Sequence, residues 1–261
     1  MNAPTYEDIL AARDGAVLTL TIDRPEAGNK FRHRTCRELL DALQRFRLDP
    51  ALRAAVLTGA GDRFFCIGGE HEPVTSLDQS QVLPVIDLYQ AIDTIPKPVV
   101  AAVNGFAVGG GNVLHTVCDL TIASENAVFR QVGPMVGSFD AGYGSWYLED
   151  TVGRKRAKEM WYLNRKYSAA QALEMGLVNE VVAPGEALAR AQEVAREITT
   201  RSPLAIGAMK GAFSARHHGV SGQARMAHDQ QLSLYLRTRE AQETGAAFAE
   251  RREPQPESFW A

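Results

Sequence analysis

The sequence is poor in cysteine and lacks the marks of several specialised protein classes. Its three cysteines, Cys36, Cys66 and Cys118, lie far apart with no CxxC spacing, so neither a disulfide framework nor a zinc site is indicated. The chain does not open with a basic segment followed by an apolar one, so no signal peptide is predicted. These absences favour a reducing, cytoplasmic location.

Excess charge of either sign is also missing. The net charge is only −3 and no long basic run occurs, which argues against a dedicated nucleic-acid binder but leaves room for a local basic patch. Hydrophobic residues make up 45% of the chain and charged residues 23%, as in ordinary globular proteins and unlike disordered or membrane-spanning chains. We therefore expect a small-molecule partner, with no nucleic acid and no membrane.

The hydrophobic pattern predicts strands that alternate with helices, which indicates a parallel sheet covered by helices. The predicted strands of the first part are 16–22, 54–59, 98–105 and 119–124. The predicted helices are 35–46, a segment that follows the polar stretch 70–81 and ends at about 95, and one that begins at the GGG of 109–111. The later segments read as helices at 143–150, 153–163, 168–175, 185–200, 203–217 and 221–250, with one strand at 178–182. Ser168 and Gln171 are spaced as a helix capping box. We predict a core over 1–195 and a helical region over 196–261.

Two glycine-rich stretches each follow a predicted strand. The first is FFCIGGEHE at 64–72, and the second is FAVGGGNVLH at 106–115, where a helix begins. Unpaired N–H groups at a helix start favour anionic oxygens, and two such donors aimed at one oxygen would form an oxyanion hole. The alternative is a pair of tight turns, and the spacing alone does not separate the two interpretations.

Longer stretches carry a resemblance to a known family. RFFCIGGE, PKPVVAAVNGFAVGGGNVLHTVCDLTIASENAVF and SAAQALEMGLVNEVV resemble the enoyl-CoA hydratase (crotonase) superfamily over nearly the whole chain. The resemblance implies an α/β fold, a spiral of strand-strand-helix turns followed by a C-terminal helical oligomerisation region, assembled as a homo-trimer or homo-hexamer. It also implies that the N–H groups of Gly69 and Gly110 stabilise the enolate of a coenzyme A thioester.

The glutamates that hydratases of this family use as acid and base are missing. Val113 and Gly133 occupy the matching positions. Adding water across a double bond needs a positioned acid and base, and neither residue can act as one. We therefore do not expect simple enoyl-CoA hydration.

QVGPMVGSFDAGYGSWYL, KEMWYL and LSLYLRT resemble a narrower branch, the 2-ketocyclohexanecarboxyl-CoA hydrolases and 1,4-dihydroxy-2-naphthoyl-CoA synthases. The resemblance assigns catalytic roles to Ser138, Asp140 and Tyr235. In the synthases the residues matching Gln131, Gly133 and Trp161 line a site for bicarbonate, which acts as a base. Without the resemblance, the aromatic residues would be read as core and Ser138 and Asp140 as turn residues.

NKFRHRTCRELLDAL, GGGNVL and QVGP favour the hydrolase, so we predict opening of the ring of a cyclic β-keto acyl-CoA. The alternatives are the ring-closing synthase of menaquinone biosynthesis and a non-catalytic protein that binds CoA esters. No tightly bound cofactor is expected, because coenzyme A arrives with the substrate. Candidates for its phosphates and adenine are Arg24, Lys30, Arg32, Lys210 and Phe248.

Three polar residues have no assigned role in this interpretation. Arg130 stands where the family usually has glycine and is expected either to face a substrate carboxylate or to be a solvated surface charge. His71 and Glu72 form a tempting proton pair, but they lie in a polar loop and are expected to be exposed. The loop also lacks the tyrosine that both branches carry, since no tyrosine occurs between Tyr6 and Tyr89.

Overall fold

The structure, a computed structural model, describes residues 5–70, 83–139 and 142–259. The chain folds into two compact units that divide between Pro203 and Leu204. Within the described ranges, no helix combines the length and the apolar character needed to cross a membrane.

Ten strands form two sheets in the described part of the first unit. They are β1 (Ile9–Asp14), β2 (Val17–Ile22), β3 (Ala54–Gly59), β4 (Phe64–Cys66), β5 (Val99–Val103), β6 (Phe106–Val108), β7 (Leu120–Ser124), β8 (Val128–Arg130), β9 (Tyr167–Ser168) and β10 (Glu180–Val182). The larger sheet has the order β1-β2-β3-β5-β7-β10 and is parallel except for the β1–β2 pair. The smaller has the order β4-β6-β8-β9, and only β9 is antiparallel to its neighbour.

The described residues also form ten α-helices. They are α1 (His33–Leu48), α2 (Val85–Thr94), α3 (Gly110–Thr116), α4 (Tyr143–Val152), α5 (Arg154–Leu163), α6 (Ala169–Glu174), α7 (Ala187–Thr199), α8 (Pro203–Met226), α9 (Ser233–Tyr235) and α10 (Arg239–Glu250). The predicted capping box is present, because the side chains of Ser168 and Gln171 each accept a hydrogen bond from the other's backbone N–H.

The strand-strand-helix spiral is confirmed. A strand of the larger sheet is followed by a short strand of the smaller sheet and then by a helix, as in β3-β4-α2 and β5-β6-α3. The central strands β3 and β5 are buried along their whole length, which explains why their sequences are continuous apolar runs. The second member of each pair ends at a glycine segment, so the smaller sheet brings these segments to one edge.

The prediction of one helix over 221–250 is wrong. The helical stretch α8 bends at Gly219, whose φ of 53° only glycine adopts readily, and a π-helical stretch follows at Ala227–Leu232. A new helix, α10, begins after Thr238, whose side-chain oxygen accepts a hydrogen bond from the Ala241 N–H. Strand β1 was not predicted, because five of its six residues are exposed or nearly so and carry no apolar pattern.

Candidate functional site

A cavity of about 310 Å³ opens at the edge where strands β4, β6 and β8 end. Helices α2 and α5 contribute further walls. The residues that line it are Phe31, Ile67, Gly68, Gly69, Glu70, Leu83, Val85, Ile86, Tyr89, Gly109, Gly110, Val113, Gln131, Val132, Gly133, Val136, Ser138, Phe139, Gly142 and Trp161. Six residues of the predicted site are therefore brought together: Gly69, Gly110, Gln131, Gly133, Ser138 and Trp161.

The first glycine segment is held by a short bridge to Phe31. The Phe31 N–H donates to the Gly68 carbonyl at 3.0 Å, and the Glu70 N–H donates to the Phe31 carbonyl at 2.8 Å. Because the C=O and N–H of one trans peptide group point in opposite directions, the Gly69 N–H points away from the Phe31 N–H that the Gly68 carbonyl accepts. Gly69 itself lines the cavity.

The second glycine segment joins β6 to α3. Gly109 has φ 55° and ψ −121°, a conformation that side chains disfavour, and its N–H is bonded to the Arg130 carbonyl at 2.9 Å. A Cβ on Gly111 would lie 1.9 Å from the Cys66 carbonyl oxygen, so glycine is required for α3 to pack against β4. Glycine at this helix start is thus required by the turn at Gly109 and by the packing of Gly111.

The two segments meet directly. A Cβ built on Gly68 would lie 3.2 Å from the Gly110 nitrogen, and the Phe31 ring lies beside both Gly69 and Gly110. Among the described residues, no group accepts a hydrogen bond from the N–H of Gly69 or Gly110. We call residues 68–69 and 109–110 the glycine wall. It presents two backbone donors to one cavity, the arrangement that stabilises a developing oxyanion.

Two aromatic residues that the sequence analysis did not single out support the glycine wall. The buried Tyr89 on α2 donates its hydroxyl hydrogen to the Gly110 carbonyl at 2.9 Å. Phe31 is 2% exposed and bridges to Gly69 through the backbone. Tyr89 falls at helical spacing beside Leu88 and Ile92, a pattern that indicates core packing and hides its position at the cavity.

Side chains form the opposite boundary, which we call the side-chain wall and define as Gln131, Ser138 and Trp161. Gln131 is 1% exposed, and neither atom of its amide has a partner among the described residues. The Trp161 Nε1 is also buried and unpartnered there. Buried polar groups are normally hydrogen-bonded, so unused groups at a cavity are suited to binding a polar ligand.

The exposed loop that carries Ser138 folds back onto the buried Gly133. A Cβ on Gly133 would lie 3.2 Å from both the Ser138 carbonyl oxygen and the Phe139 Cα. The Ser138 N–H donates to the Gly133 carbonyl at 2.8 Å, and its hydroxyl lies 3.5 Å from the Phe139 carbonyl oxygen. Asp140, with His71 and Glu72, lies outside the described residues, so the role expected for it stays a prediction.

The positions of the hydratase glutamates lie in the cavity and carry no carboxylate. Val113 and Gly133 both line it. Glu70 supplies a carboxylate to the lining, but the Arg24 guanidinium is bonded to it at 3.0 Å. In the described part of the chain, the cavity therefore offers backbone donors without the two glutamates that hydratases of the family use as acid and base.

The cationic residues expected to bind coenzyme A are largely engaged within the protein. Arg32 makes two hydrogen bonds to Asp8, at 2.9 and 2.8 Å, and these hold the pKa of the Asp8 carboxyl below its usual range. Arg24 donates to the Lys30 carbonyl at 2.6 Å as well as to Glu70. Their role in binding phosphates stays a prediction.

The remaining predicted residues belong to the second unit. Tyr235 ends α9 and is 41% exposed, and Phe248 on α10 is 88% exposed. Lys210 on α8 is buried, at 6% exposure.

Helix α3 also carries a buried histidine. His115 is fully buried, and burial lowers its pKa to about 3, so it is neutral at physiological pH. Its ring nitrogens lie 3.1 Å from the Asn112 side-chain oxygen and 3.3 Å from the Thr121 hydroxyl. This residue packs the helix that begins at Gly110.

Comparison with known proteins adds independent information. The family model for enoyl-CoA hydratase/isomerase matches residues 12–258. Similar solved structures include DspI of Pseudomonas aeruginosa, with TM-score 0.79 and 25% identity over 97% of this chain and 98% of that chain. An enoyl-CoA hydratase from Polaromonas sp. JS666 has TM-score 0.76 and 31% identity over 95% and 98%. One from Bacillus anthracis has TM-score 0.76 and 28% identity over 95% and 98%.

Proposed function

Because the chain belongs to the enoyl-CoA hydratase/isomerase family, whose members process acyl-CoA, we propose that it hydrolyses a carbon-carbon bond and so opens the ring of a cyclic β-keto acyl-CoA. The observation that carries the proposal is the glycine wall: Gly69 and Gly110 line one cavity, and neither N–H has an acceptor within the described ranges. The hydratase glutamate positions beside them hold Val113 and Gly133. This combination supports stabilisation of a thioester enolate and disfavours simple hydration.

The proposed reaction has three steps. Water adds to the ring ketone that lies β to the thioester. The bond between that carbon and the α-carbon then breaks, the ketone carbon becomes a carboxylic acid, and the electron pair spreads into the thioester carbonyl as an enolate. Return of a proton to the α-carbon completes the reaction. Because negative charge builds on the thioester oxygen in the second step, the two backbone donors should contribute the largest single effect.

The proton transfers are assigned to Asp140, Ser138 and Tyr235. Asp140, oriented by Ser138, is proposed to position or deprotonate the attacking water, and Tyr235 or Asp140 to return the proton. Ser138 lies at the cavity, which supports its part. The roles of Asp140 and Tyr235 rest on the resemblance of the GSFD and LSLYLRT segments.

A second candidate is the ring-closing synthase, and the side-chain wall favours it. Gln131 and Trp161 present buried polar atoms that have no partner among the described residues, a donor and acceptor set that fits a small oxyanion. Bicarbonate bound there would supply a base where Gly133 supplies none. Gln131 and Trp161 would hold that ion by hydrogen bonds, and Gly133 would leave the space for it.

One assay separates the candidates. The purified protein is incubated with 2-ketocyclohexanecarboxyl-CoA and, separately, with o-succinylbenzoyl-CoA, with and without added bicarbonate, and products are followed by mass. Ring opening adds the mass of one water, and this is the expected result. Turnover of only the second compound would favour the synthase. Binding of CoA thioesters without turnover of either would contradict both and favour a non-catalytic binding protein.

Variants test the proton-transfer assignment. Asp140→Asn keeps the size of the side chain and removes its basicity, so we expect kcat to fall by about 10²-fold or more. Ser138→Ala should have a smaller effect, because Ser138 only orients Asp140 in this scheme. Full activity of the Asp140→Asn protein would remove Asp140 from the mechanism and leave the glycine-wall assignment untouched.

We also propose a homo-trimer or homo-hexamer. Both units expose large apolar side chains in the single chain, including Phe139, Trp146 and Tyr162 in the first and Phe213 and Phe248 in the second. Such surfaces are typical of contacts between subunits. Light scattering coupled to gel filtration would measure the mass directly, and a monomer would contradict the proposal.

A further inference from the structure

Arg130 connects three parts of the cavity boundary, although the sequence indicates only a surface charge or a substrate contact. It ends β8, directly before Gln131, and is half-buried. Its Nε donates to the Asn164 carbonyl at 2.7 Å, and a terminal nitrogen lies 3.1 Å from the Met135 sulfur. The guanidinium is therefore bound to the protein itself.

The Asn164 contact leads to Trp161. Asn164 is 5% exposed and ends α5 in the left-handed conformation, with φ 50°. Its own side-chain nitrogen donates to the Trp161 carbonyl at 2.9 Å. A cationic donor on the Asn164 carbonyl thus fixes the last turn of α5, which carries the indole into the cavity.

The Met135 contact leads to the loop that carries Ser138. Met135 ends the 3-10 turn Gly133–Met135, and the Ser138 N–H is bonded back to Gly133 at 2.8 Å. Met135 is 60% exposed, so packing alone holds it loosely. The Arg130 side chain thus bonds both to this loop and to the residue that ends α5.

The backbone of the same residue holds the glycine wall. The Arg130 carbonyl accepts the N–H of Gly109 at 2.9 Å, immediately before Gly110. Arg130 thus contacts the glycine wall directly through its carbonyl. Its guanidinium is linked indirectly to Trp161 through Asn164 and to the Ser138 loop through Met135. Substitution changes only the second set of contacts, since any residue retains the carbonyl.

We propose that Arg130 is a positioning residue: its guanidinium fixes Trp161 and the Ser138 loop relative to the two oxyanion donors. It does so from outside the cavity, since it is not among the lining residues. The consequence for catalysis rests on the proposed function, whereas the effect on Trp161 does not. Displacement of the side-chain wall should disturb the alignment of the reacting groups more than it weakens binding of the coenzyme A portion of the substrate.

The test uses Trp161 as the only indole. In a Trp146→Phe, Trp260→Phe background, Arg130→Met keeps the apolar stem and removes the donors. We expect the emission of Trp161 to shift to longer wavelength and its quenching by acrylamide to rise. On a cyclic β-keto acyl-CoA we expect kcat to fall by about 10- to 100-fold while KM changes by less than about threefold, as for a misplaced catalytic wall.

Arg165→Met is the matched control. Arg165 follows Asn164 in the chain and pairs with the exposed Glu159 at 3.2 Å, so the same charge is removed nearby without touching the cavity boundary. We expect its Trp161 emission, quenching and kinetics to equal those of the background protein. If both substitutions act alike, the effect is one of charge and the proposal is overturned.

Unchanged emission, quenching and kcat in Arg130→Met would also overturn it. Should that protein fail to fold, Arg130→Lys keeps a cation and one donor but cannot make both contacts, and a smaller change in the same direction is expected. If the parent turns over no cyclic substrate, the proposed function fails, but the emission and quenching of Trp161 still decide the role of Arg130.

Discussion

The two walls of the cavity are built in different ways. The glycine wall is backbone held by strands: the Phe31 bridge on one side and the bond from Gly109 to Arg130 on the other. The side-chain wall depends on a loop, a helix end and the side chains of Arg130 and Asn164. The two donors proposed to stabilise charge are thus held by backbone pairing, whereas the side-chain wall is held by side-chain contacts that single substitutions can remove. We therefore expect substitutions on the glycine wall to remove oxyanion stabilisation directly, and substitutions on the side-chain wall to lower kcat by a smaller factor.

Gly110→Ala should break the glycine wall with the largest effect. The new Cβ would lie 2.6 Å from the Phe31 ring and 3.1 Å from the Tyr89 hydroxyl. Because both side chains are buried and have little room to move, we expect the Gly110 segment to shift and its N–H to change direction. Loss of one oxyanion donor lowers kcat by about 10²- to 10³-fold. Steady-state kinetics would measure the loss, and circular dichroism would verify the fold.

Gly245→Ala provides its control. Gly245 lies in α10 with open space around its Cβ position, so this substitution should leave kcat unchanged. A Gly110→Ala protein as active as the control would show that the N–H of Gly110 does not face the reacting oxygen.

Low pH should lower the free energy of unfolding through His115, which packs the helix that begins at Gly110. The His115 pKa falls from 6.5 to about 3 on folding, so between these values the unfolded chain binds more protons than the folded chain. The contribution to stability is complete above pH 6.5 and is lost as the pH falls, by about 1.4 kcal/mol for each unit. Denaturant unfolding at pH 7 and pH 5 measures the difference.

Substitution of the histidine identifies its share of that dependence. His115→Gln should reduce the loss of unfolding free energy between pH 7 and pH 5, whatever it does to stability at pH 7. Equal pH dependence in the wild type and in His115→Gln would show that His115 is not the group responsible.

Gln131→Leu should show whether Gln131 contributes to catalysis or to the stability of the core. The amide of Gln131 has no partner among the described residues, so its removal should not lower the free energy of unfolding and should raise it by up to about 1 kcal/mol. The same change should lower kcat by about tenfold or more, because a polar contact to substrate or to a bound base is lost. A clear loss of stability would instead assign Gln131 a structural role.

What could be predicted from the sequence follows the same division. The buried strands β3 and β5, the start of α3 at Gly110 and the capping box at Ser168 carry local signals, and each was predicted. The contact of Tyr89 with Gly110 and that of Arg130 with Asn164 join residues 21 and 34 positions apart. Nothing local marks such pairs, since the acceptor is a backbone carbonyl that every residue has. Strand β1 was missed for a related reason. It is a strand because it pairs with β2, and its exposed residues show no alternation of apolar and polar side chains.

Ser168→Ala should have the smallest effect. It tests whether the side-chain wall depends on structure beyond the contacts of Arg130. Ser168 caps α6 and is paired with Val128, two residues before Arg130. Loss of a helix N-cap costs about 1 kcal/mol of unfolding free energy, which denaturant titration detects. We expect no change in kcat, because the hydrogen bonds of β8 to β6 and of Arg130 to Asn164 remain. A fall in kcat with this substitution would mean that the positions of the side-chain wall residues depend on β9 and α6 as well as on the contacts of Arg130.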